Sequence, residues 1–223
     1  MRYKIFATDY DGTIAHHGAV DPATVDALQG LKSTGRKVLL VTGREIPDLL
    51  SVFSEAPLFD LIVAENGALL YWPDTKLEKP LAPPPPREFA DRLRKCGVNP
   101  LSVGRVIVAT MDPYLTEVRD AIAELHLDLE IIPNKGSLMV LPRNVDKGFG
   151  LAAPLRELHP PNNPVPPVGH PENDHSLLRN AAFAVAVANA LPELKKAAHW
   201  TTPSGHGAGV RELITRLLAE DSS

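Results

Sequence analysis

The sequence KIFATDYDGT, residues 4–13, joins a short apolar run to two closely spaced carboxylates. The run IFA is typical of a buried strand, which we predict over residues 4–9. Side chains two positions apart on an extended chain point to the same side, so Asp9 and Asp11 are expected to stand together. Like charges that close disfavour each other's ionisation unless a cation or hydrogen bonds offset them. The stretch therefore predicts a polar site directly after a buried strand.

Strands and helices alternate along most of the chain. A helix is predicted to begin after Asp21, a natural N-cap, with Pro22 in the first helical position. The segment RKVLLVTG (36–43) is a continuous apolar strand, as found in sheets that are covered on both faces. Further strands are predicted over 60–64, 103–110, 128–132, 137–141, 165–169 and 182–187, and further helices over 45–55, 87–96, 115–125, 147–158, 173–180, 192–197 and 210–218. This order predicts an α/β fold with a doubly wound, Rossmann-like parallel sheet.

Proline marks two segments that interrupt this alternation. The run APPPPRE is typical of a stiff linker, and an α/β insert with short strands follows it. We therefore predict a core made of residues 1–81 and 144–223, with a small α/β cap domain over residues 82–143 inserted into it. The second run places three prolines in or beside the strand predicted near 165–169, so we expect that strand to be short or irregular.

Polar side chains follow three of the predicted strands and open one predicted helix. In doubly wound sheets, ligands bind beyond the carboxyl ends of the strands. Each group alone has an ordinary explanation as a cap or a solvated charge, but four in order are a stronger signal. They are Asp9 and Asp11 after the first strand, Thr42, Gly43 and Arg44 after the second, Lys147 at the start of a helix, and His170, Asn173 and Asp174 after a later strand.

This ordered set resembles the motifs of the haloacid dehalogenase superfamily. DYDGT matches the first motif, Asp-x-Asp-x-Thr, in full, and VTGR, DKG and GHPENDHSLL are similar to the second, third and fourth. The resemblance covers both halves of the core, whereas the insert matches only in position and α/β character. That position is similar to the larger cap of the Cof-type branch, which includes sugar-phosphate phosphatases and archaeal-type phosphoglycolate phosphatases.

The resemblance implies a phosphatase that hydrolyses a small phosphorylated metabolite, of sugar-phosphate or phosphoglycolate type, through an aspartyl-phosphate. Asp9 is then the nucleophile, and Asp11 protonates the leaving oxygen and later activates water. Proximity to Asp9 and partial burial are expected to raise the pKa of Asp11, as that role requires. The residues implied to bind phosphate or substrate are Thr42, Gly43, Arg44, Lys147, Asn173 and Asn66, the last within an Asn-Gly pair that also predicts a hairpin turn.

The resemblance also implies a divalent metal ion, Mg²⁺, which prefers carboxylates together with phosphate oxygens. Its implied ligands are Asp9, Asp11, His170 and Asp174. The motif has an aspartate where this sequence has His170. Because imidazole suits later first-row metals, we expect weak Mg²⁺ binding and better activity with Mn²⁺ or Co²⁺.

The same residues are also compatible with other functions. A phosphotransferase or phosphomutase would use the same Asp9 and differ only in the acceptor. A phosphate-binding protein with impaired turnover is suggested by His170. A signalling receiver domain also groups carboxylates, Thr and Lys, but the length of this chain and its insert argue against that class.

The composition of the chain limits the classes of partner that we expect it to bind. The formal net charge of −4 gives no general attraction to nucleic acid or to anionic membranes, and no apolar run approaches the length of a membrane span. The single cysteine, Cys96, excludes an internal disulfide. We therefore expect a cytoplasmic protein that binds a small molecule rather than nucleic acid or a membrane. Weaker candidates for substrate contact are Asn134 and Lys135 in the insert, whereas His16, His17 and His206 are expected in exposed loops.

Overall fold

The computed structural model describes residues 3–134, 136–158, 167–169 and 183–221. Its central sheet has eight strands: β1 (Ile5–Asp9), β4 (Lys37–Val41), β5 (Leu61–Ala64), β6 (Leu69–Trp72), β7 (Leu77–Pro80), β12 (Pro167–Gly169), β13 (Val185–Ala186) and β14 (Trp200–Thr201). They lie in the order β14-β13-β12-β1-β4-β5-β6-β7. Pairing is parallel from β14 to β5, and β6 and β7 add an antiparallel edge. A small hairpin, β2 (Ala15–His16) and β3 (Ala19–Val20), follows β1.

Seven helices are described within these ranges: α1 (Pro22–Ser33), α2 (Ile46–Val52), α3 (Arg87–Lys95), α4 (Leu115–Glu124), α5 (Lys147–Leu158), α6 (Pro192–Ala197) and α7 (His206–Asp221). Helix α1 begins as predicted, because the Asp21 carboxylate accepts hydrogen bonds from the Thr24 N–H at 3.0 Å and from its hydroxyl at 2.7 Å. None of the described helices is both long and apolar enough to cross a membrane.

Helices cover both faces of the central sheet, as the continuous apolar strands predict. Consecutive side chains of β1 point to opposite faces. Phe6 belongs to the larger apolar cluster, with Leu28 of α1 and Leu213 of α7. Ile5 belongs to a smaller cluster, with Leu151 of α5. The predicted α/β fold with a doubly wound, mostly parallel sheet is confirmed.

The proline-rich segment contributes a central strand to the sheet. Strand β12 has three residues and lies between β1 and β13. Pro167, the first described residue of this strand, pairs with Ala7 of β1. The rest of the predicted strand, and the helix predicted over 173–180, lie outside the described residues.

The inserted segment contains a second sheet with its own apolar cluster. Four antiparallel strands lie in the order β10 (Leu129–Asn134), β11 (Ser137–Pro142), β9 (Val108–Met111) and β8 (Ser102–Val103). Phe89 and Leu93 of α3 pack with Val118 of α4 and Val140 of β11. All of these elements fall within the predicted cap, residues 82–143, whose boundaries stay a prediction.

One strand prediction in the insert is wrong. The apolar run over residues 103–110 predicts one continuous strand, but β8 ends at Val103 and β9 begins at Val108. Residues 104–107 form the turn of a hairpin in which Val103 pairs with Val108, and the Gly104 N–H donates to the Ile107 carbonyl at 2.8 Å. The N–H groups of residues 105–107 in this turn donate to the carboxylate of Glu65 in the core.

Close contact between two turns fixes the start of α5. Gly67 has a φ of 102° and lies against the segment before α5, where an added Cβ would come within 1.9 Å of the Asp146 carbonyl oxygen. Both the left-handed backbone and the lack of space exclude a side chain at this position.

We expect Gly67→Ala to lower the free energy of unfolding by about 3 kcal/mol, because it combines a strained φ with a backbone clash. Gly30→Ala is the matched control, since Gly30 lies inside α1 and nothing lies within 4 Å of its added Cβ. That control should be stabilised by about 0.5–1 kcal/mol. Urea unfolding measures both changes, and equal effects of the two substitutions would contradict the proposed contact.

Candidate active site

A cavity of about 920 Å³ lies beyond the carboxyl ends of β1 and β4. Side chains of the central sheet and of the insert face the same space, which is where doubly wound sheets bind ligands. The predicted site residues that line it are Asp9, Asp11, Gly43, Arg44, Asn134 and Lys147.

Asp9, the last residue of β1, forms a buried ion pair with Lys147, the first residue of α5. Lys147 Nζ donates to Asp9 Oδ1 at 2.7 Å, and the two side chains are 2% and 1% exposed. The Thr13 hydroxyl donates to the other carboxylate oxygen at 3.1 Å. Contacts to both oxygens fix the orientation of the Asp9 carboxylate, and little water reaches it.

Asp11 lines the same cavity as Asp9 and pairs with Arg44. Its two oxygens accept hydrogen bonds from Arg44, from Nε at 2.8 Å and from Nη2 at 2.9 Å, and its side chain is 39% exposed. Arg44 also donates to Asp48 at 2.6 Å. The hydrogen bonds to Asp11 are the main reason why the pKa of Arg44 is raised. The structure thus gives Asp11 a partner, Arg44, that its spacing from Asp9 does not indicate.

The loop after β4 is held by the sheet and approached by the insert. Thr42 is buried, its N–H donates to the Val63 carbonyl at 2.8 Å, and its hydroxyl oxygen accepts from the Arg44 N–H at 3.1 Å. An added Cβ on Gly43 would lie 3.3 Å from Met139 Sδ of β11. The predicted phosphate-binding loop therefore lies directly beneath the insert.

Asn66 lies within the 3₁₀ turn Glu65–Gly67 and is fully buried. Its φ is 54°, and its N–H donates to the Thr42 carbonyl at 3.0 Å. Strands β5 and β6 pair antiparallel on either side, with Ala64 opposite Leu69. The predicted hairpin turn is confirmed, and the turn contacts the Thr42 loop.

Three predicted site residues, His170, Asn173 and Asp174, lie outside the described residues, as does Lys135. Within the described ranges, no three or more His, Cys, Asp or Glu side chains are grouped so that they could hold a metal ion. The described part of the predicted metal site therefore consists of Asp9 and Asp11.

Several cavity residues were missed by sequence reasoning. Glu45 lines the cavity together with three histidines that were assigned to exposed loops. His16 ends β2 and His206 begins α7. The His16 ring makes tilted contacts with those of His17 and His206, at 4.2 Å and 4.3 Å between ring centroids. No sequence spacing signals the contact between His16 and His206, because these two residues lie far apart in the sequence.

Residues 6–85 and 100–214 match the model of the haloacid dehalogenase-like hydrolases. The chain is a haloacid dehalogenase-like hydrolase. The match covers the cavity residues of both halves of the core, and the predicted resemblance to the Cof-type branch is confirmed.

Relatives of this hydrolase align over nearly their whole length. Phosphoglycolate phosphatase 2 of Saccharolobus solfataricus is 30% identical, and the alignment covers 96% of this chain and 92% of that protein. Phosphoglycolate phosphatase of Methanothermobacter thermautotrophicus is 29% identical, with coverages of 96% and 99%. The crystal structure of a haloacid dehalogenase-like hydrolase from Bacteroides thetaiotaomicron has a TM-score of 0.80, with coverages of 96% and 99%. At 18% identity, the last likeness concerns the fold.

In this hydrolase, Tyr10 ties the β2–β3 hairpin to the segment that follows β1. Its hydroxyl donates to the Gly18 carbonyl at 2.8 Å, and its ring is buried. Burial raises the pKa of Tyr10 to about 12, although the charge of Arg44 lowers it.

We expect Tyr10→Phe to reduce the loss of stability at alkaline pH. The folded protein holds the phenolic proton more tightly than the unfolded chain, whose tyrosines titrate near about 10. The Tyr10 contribution is therefore fully present below about pH 10 and is lost as the pH rises through about 12. Unfolding free energies at about pH 8 and about pH 11 measure it. An equal loss between these two pH values in both proteins would contradict the assignment.

Proposed function

We propose that this hydrolase is a phosphatase that cleaves the phosphate ester of a small metabolite, of phosphoglycolate or sugar-phosphate type. The observation that carries the proposal is the buried Asp9 carboxylate, held by Lys147 and Thr13 at the floor of the cavity. An oriented, water-excluded carboxylate beside a cationic group is suited to nucleophilic attack on a phosphoryl group.

Phosphoglycolate is the first substrate to test. Two relatives named phosphoglycolate phosphatases, at 30% and 29% identity, align over at least 92% of their length. A cavity of about 920 Å³ also has room for larger phosphate esters, so sugar phosphates belong to the same test.

Asp9 acts as the nucleophile. One of its oxygens attacks phosphorus, the bond from phosphorus to the ester oxygen breaks, and an aspartyl-phosphate forms on Asp9. Lys147 stabilises the charge on the transferring phosphoryl oxygens, and the loop at Thr42 lies next to the same group. Water then attacks the aspartyl-phosphate, which releases inorganic phosphate and restores the carboxylate.

Asp11 acts as the general acid and then the general base. It can donate a proton to the leaving oxygen only after its ion pair with Arg44 opens, since both carboxylate oxygens are engaged in that pair. Arg44 is thereby released toward the cavity that it lines, where an anionic substrate is its natural partner. Substrate binding and release of the acid are coupled through this exchange of partners.

The donor atoms of the described residues are of the kind that binds a magnesium ion. Mg²⁺ is typically bound through one or two carboxylates together with phosphate oxygens. The Asp9 carboxylate and the main-chain carbonyl of Asp11 provide oxygen donors, and His170 and Asp174 would complete the site. When bound, the ion neutralises charge between the carboxylate and the phosphate.

The insert, residues 82–143, acts as a cap over the cavity. Its residues Ile107, Asn134 and Met139 form the wall opposite Asp9. A cap that excludes water and contacts the substrate would set specificity.

Release of inorganic phosphate tests the function directly. A panel of 2-phosphoglycolate, hexose phosphates and 4-nitrophenyl phosphate is assayed with Mg²⁺, Mn²⁺, Co²⁺ or a chelator. We expect metal-dependent hydrolysis by the unmodified protein and none by Asp9→Asn, because an amide cannot act as the nucleophile. Asp60→Asn is the control, since Asp60 binds the Val38 N–H at the opposite ends of the strands. Unimpaired turnover by Asp9→Asn would remove Asp9 from the nucleophile role.

Asp11→Asn should slow hydrolysis of metabolite esters by roughly a hundred- to ten-thousand-fold, the usual range for the loss of general acid–base catalysis. The loss should be smaller for 4-nitrophenyl phosphate, whose leaving group needs little protonation. Asp48→Asn is the matched control, because Asp48 is another carboxylate partner of Arg44. That variant should not change the dependence on the leaving group. An equal loss for all esters in Asp11→Asn argues against Asp11 as the acid.

A further inference from the structure

Glu65 is a buried carboxylate that joins the core to the insert. It follows β5 in the core and is 1% exposed. Its Oε1 accepts a hydrogen bond from the Arg105 N–H at 2.8 Å, and its Oε2 accepts from the Val106 N–H at 2.7 Å and the Ile107 N–H at 2.9 Å. Charged acceptors make strong hydrogen bonds, and removing this one would leave buried donors unsatisfied.

The insert is shaped to admit this carboxylate. An added Cβ on Gly104 would lie 2.7 Å from Glu65 Oε1, 2.8 Å from its Cδ and 2.8 Å from Ile107 Cγ2. No side chain fits at residue 104 while Glu65 keeps its three bonds. The glycine is therefore required by the contact between core and insert.

On its other side, the same turn binds the loop after β4. The Glu65 N–H donates to the Arg44 carbonyl and the Asn66 N–H donates to the Thr42 carbonyl, both at 3.0 Å. Glu65 and Asn66 have φ values of 51° and 54°, which residues with side chains rarely adopt. This disfavoured backbone conformation places the Glu65 carboxylate against the insert. It also places the N–H groups of Glu65 and Asn66 against the loop after β4.

The residues held by Glu65 belong to the cavity wall. Ile107 lines the cavity, and Val106 and Ile107 pack with Ala68 of the core and Met139 of the insert. The Glu65 contact thus continues into an apolar cluster that spans both parts of the chain.

Two other carboxylates of the core reach the insert from more exposed positions. Glu45 accepts a hydrogen bond from the Ser102 hydroxyl. Burial is the main reason why the pKa of Glu45 is raised, the Ser102 bond lowers it, and repulsion by Glu65 raises it further. Glu78 pairs with Arg105, whose side chain is 65% exposed, and such pairs contribute little to stability.

We propose that Glu65 is a positioning residue that anchors the cap to the phosphate-binding loop. By holding the N–H groups of residues 105–107, it keeps the Ile107 wall at a fixed distance from Asp9 and Arg44. The substrate is then bound between the core and the insert, whose relative position is fixed by the Glu65 side chain. The kinetic part of this proposal rests on the proposed phosphatase function, whereas the anchoring itself does not.

The test replaces Glu65 with glutamine in the full-length protein. Gln has nearly the same shape as Glu, but an NH₂ group replaces one carboxylate oxygen. That NH₂ group is a donor and would face the N–H donors of residues 105–107. We expect hydrogen exchange of the amides of residues 105–107 to be roughly tenfold faster or more. For the ester of the panel that is hydrolysed fastest, we expect KM to rise by about fivefold or more and kcat to change less. For 4-nitrophenyl phosphate, whose nitrophenyl group lacks the hydroxyl and carboxylate groups of the metabolite esters, KM should rise less.

Two further variants make the test specific. Asp60→Asn makes the same chemical change at a carboxylate that binds the Val38 N–H at 2.9 Å within the core, and it should leave exchange at 105–107 and KM unchanged. Gly104→Ala disturbs the Glu65 contact from the side of the insert and should change exchange and KM in the same direction as Glu65→Gln. Because both substitutions act on one contact, the double variant should show less than the sum of the two effects.

Unchanged exchange at residues 105–107 in Glu65→Gln overturns the proposal. So does faster exchange without a rise in KM, since the anchor would then have no effect on substrate binding. Exchange that is equally faster throughout the chain also overturns it, because Glu65 would then have only a general structural role. If the unmodified protein hydrolyses no ester of the panel, the proposed function fails, and the exchange measurements still decide whether Glu65 anchors the insert.

Discussion

The buried ion pair between Lys147 and Asp9 is the interaction on which the rest of the site depends. It joins residues 138 positions apart at 2.7 Å, in a place where neither side chain is solvated. Withdrawing two charges from water is costly, and only close contact offsets the cost. The end of β1 and the start of α5 must therefore meet in one arrangement, which the contact of Gly67 with the segment before α5 makes possible. Because the insert ends shortly before Lys147, the same pair also determines where the cap is attached.

Much of this architecture could be predicted from the sequence, because its signals are local. The apolar run before Asp9 and the run RKVLLVTG are buried strands, and Asp21 and Pro22 begin a helix where their chemistry predicts one. Polar residues at successive strand ends predicted which side chains would meet, since parallel strands bring their carboxyl ends to one edge. Asp9, Asp11, Arg44 and Lys147 do line one cavity.

The pairings within that cavity could not be predicted, because they join residues that no periodicity connects. Spacing placed Asp11 near Asp9 but gave no sign that Arg44 would bind both oxygens of Asp11. The mostly apolar run over 103–110 predicts one strand, yet residues 104–107 form a hairpin turn, and the N–H groups of residues 105–107 bind the distant Glu65. Gly104 was the one local hint, and a glycine in a strand pattern shows that something approaches closely without showing what.

The strand order has a consequence for how this chain is completed during synthesis. Strand β1 lies between β4, which follows it soon in sequence, and β12, which begins at Pro167. One edge of β1 can therefore pair early, whereas the other waits for most of the chain to be made. The apolar cluster of the insert, by contrast, draws on residues from Phe89 to Val140 and needs nothing from either terminus. The nascent chain thus carries the insert on a sheet with an open central edge, and open edges are where β-proteins aggregate.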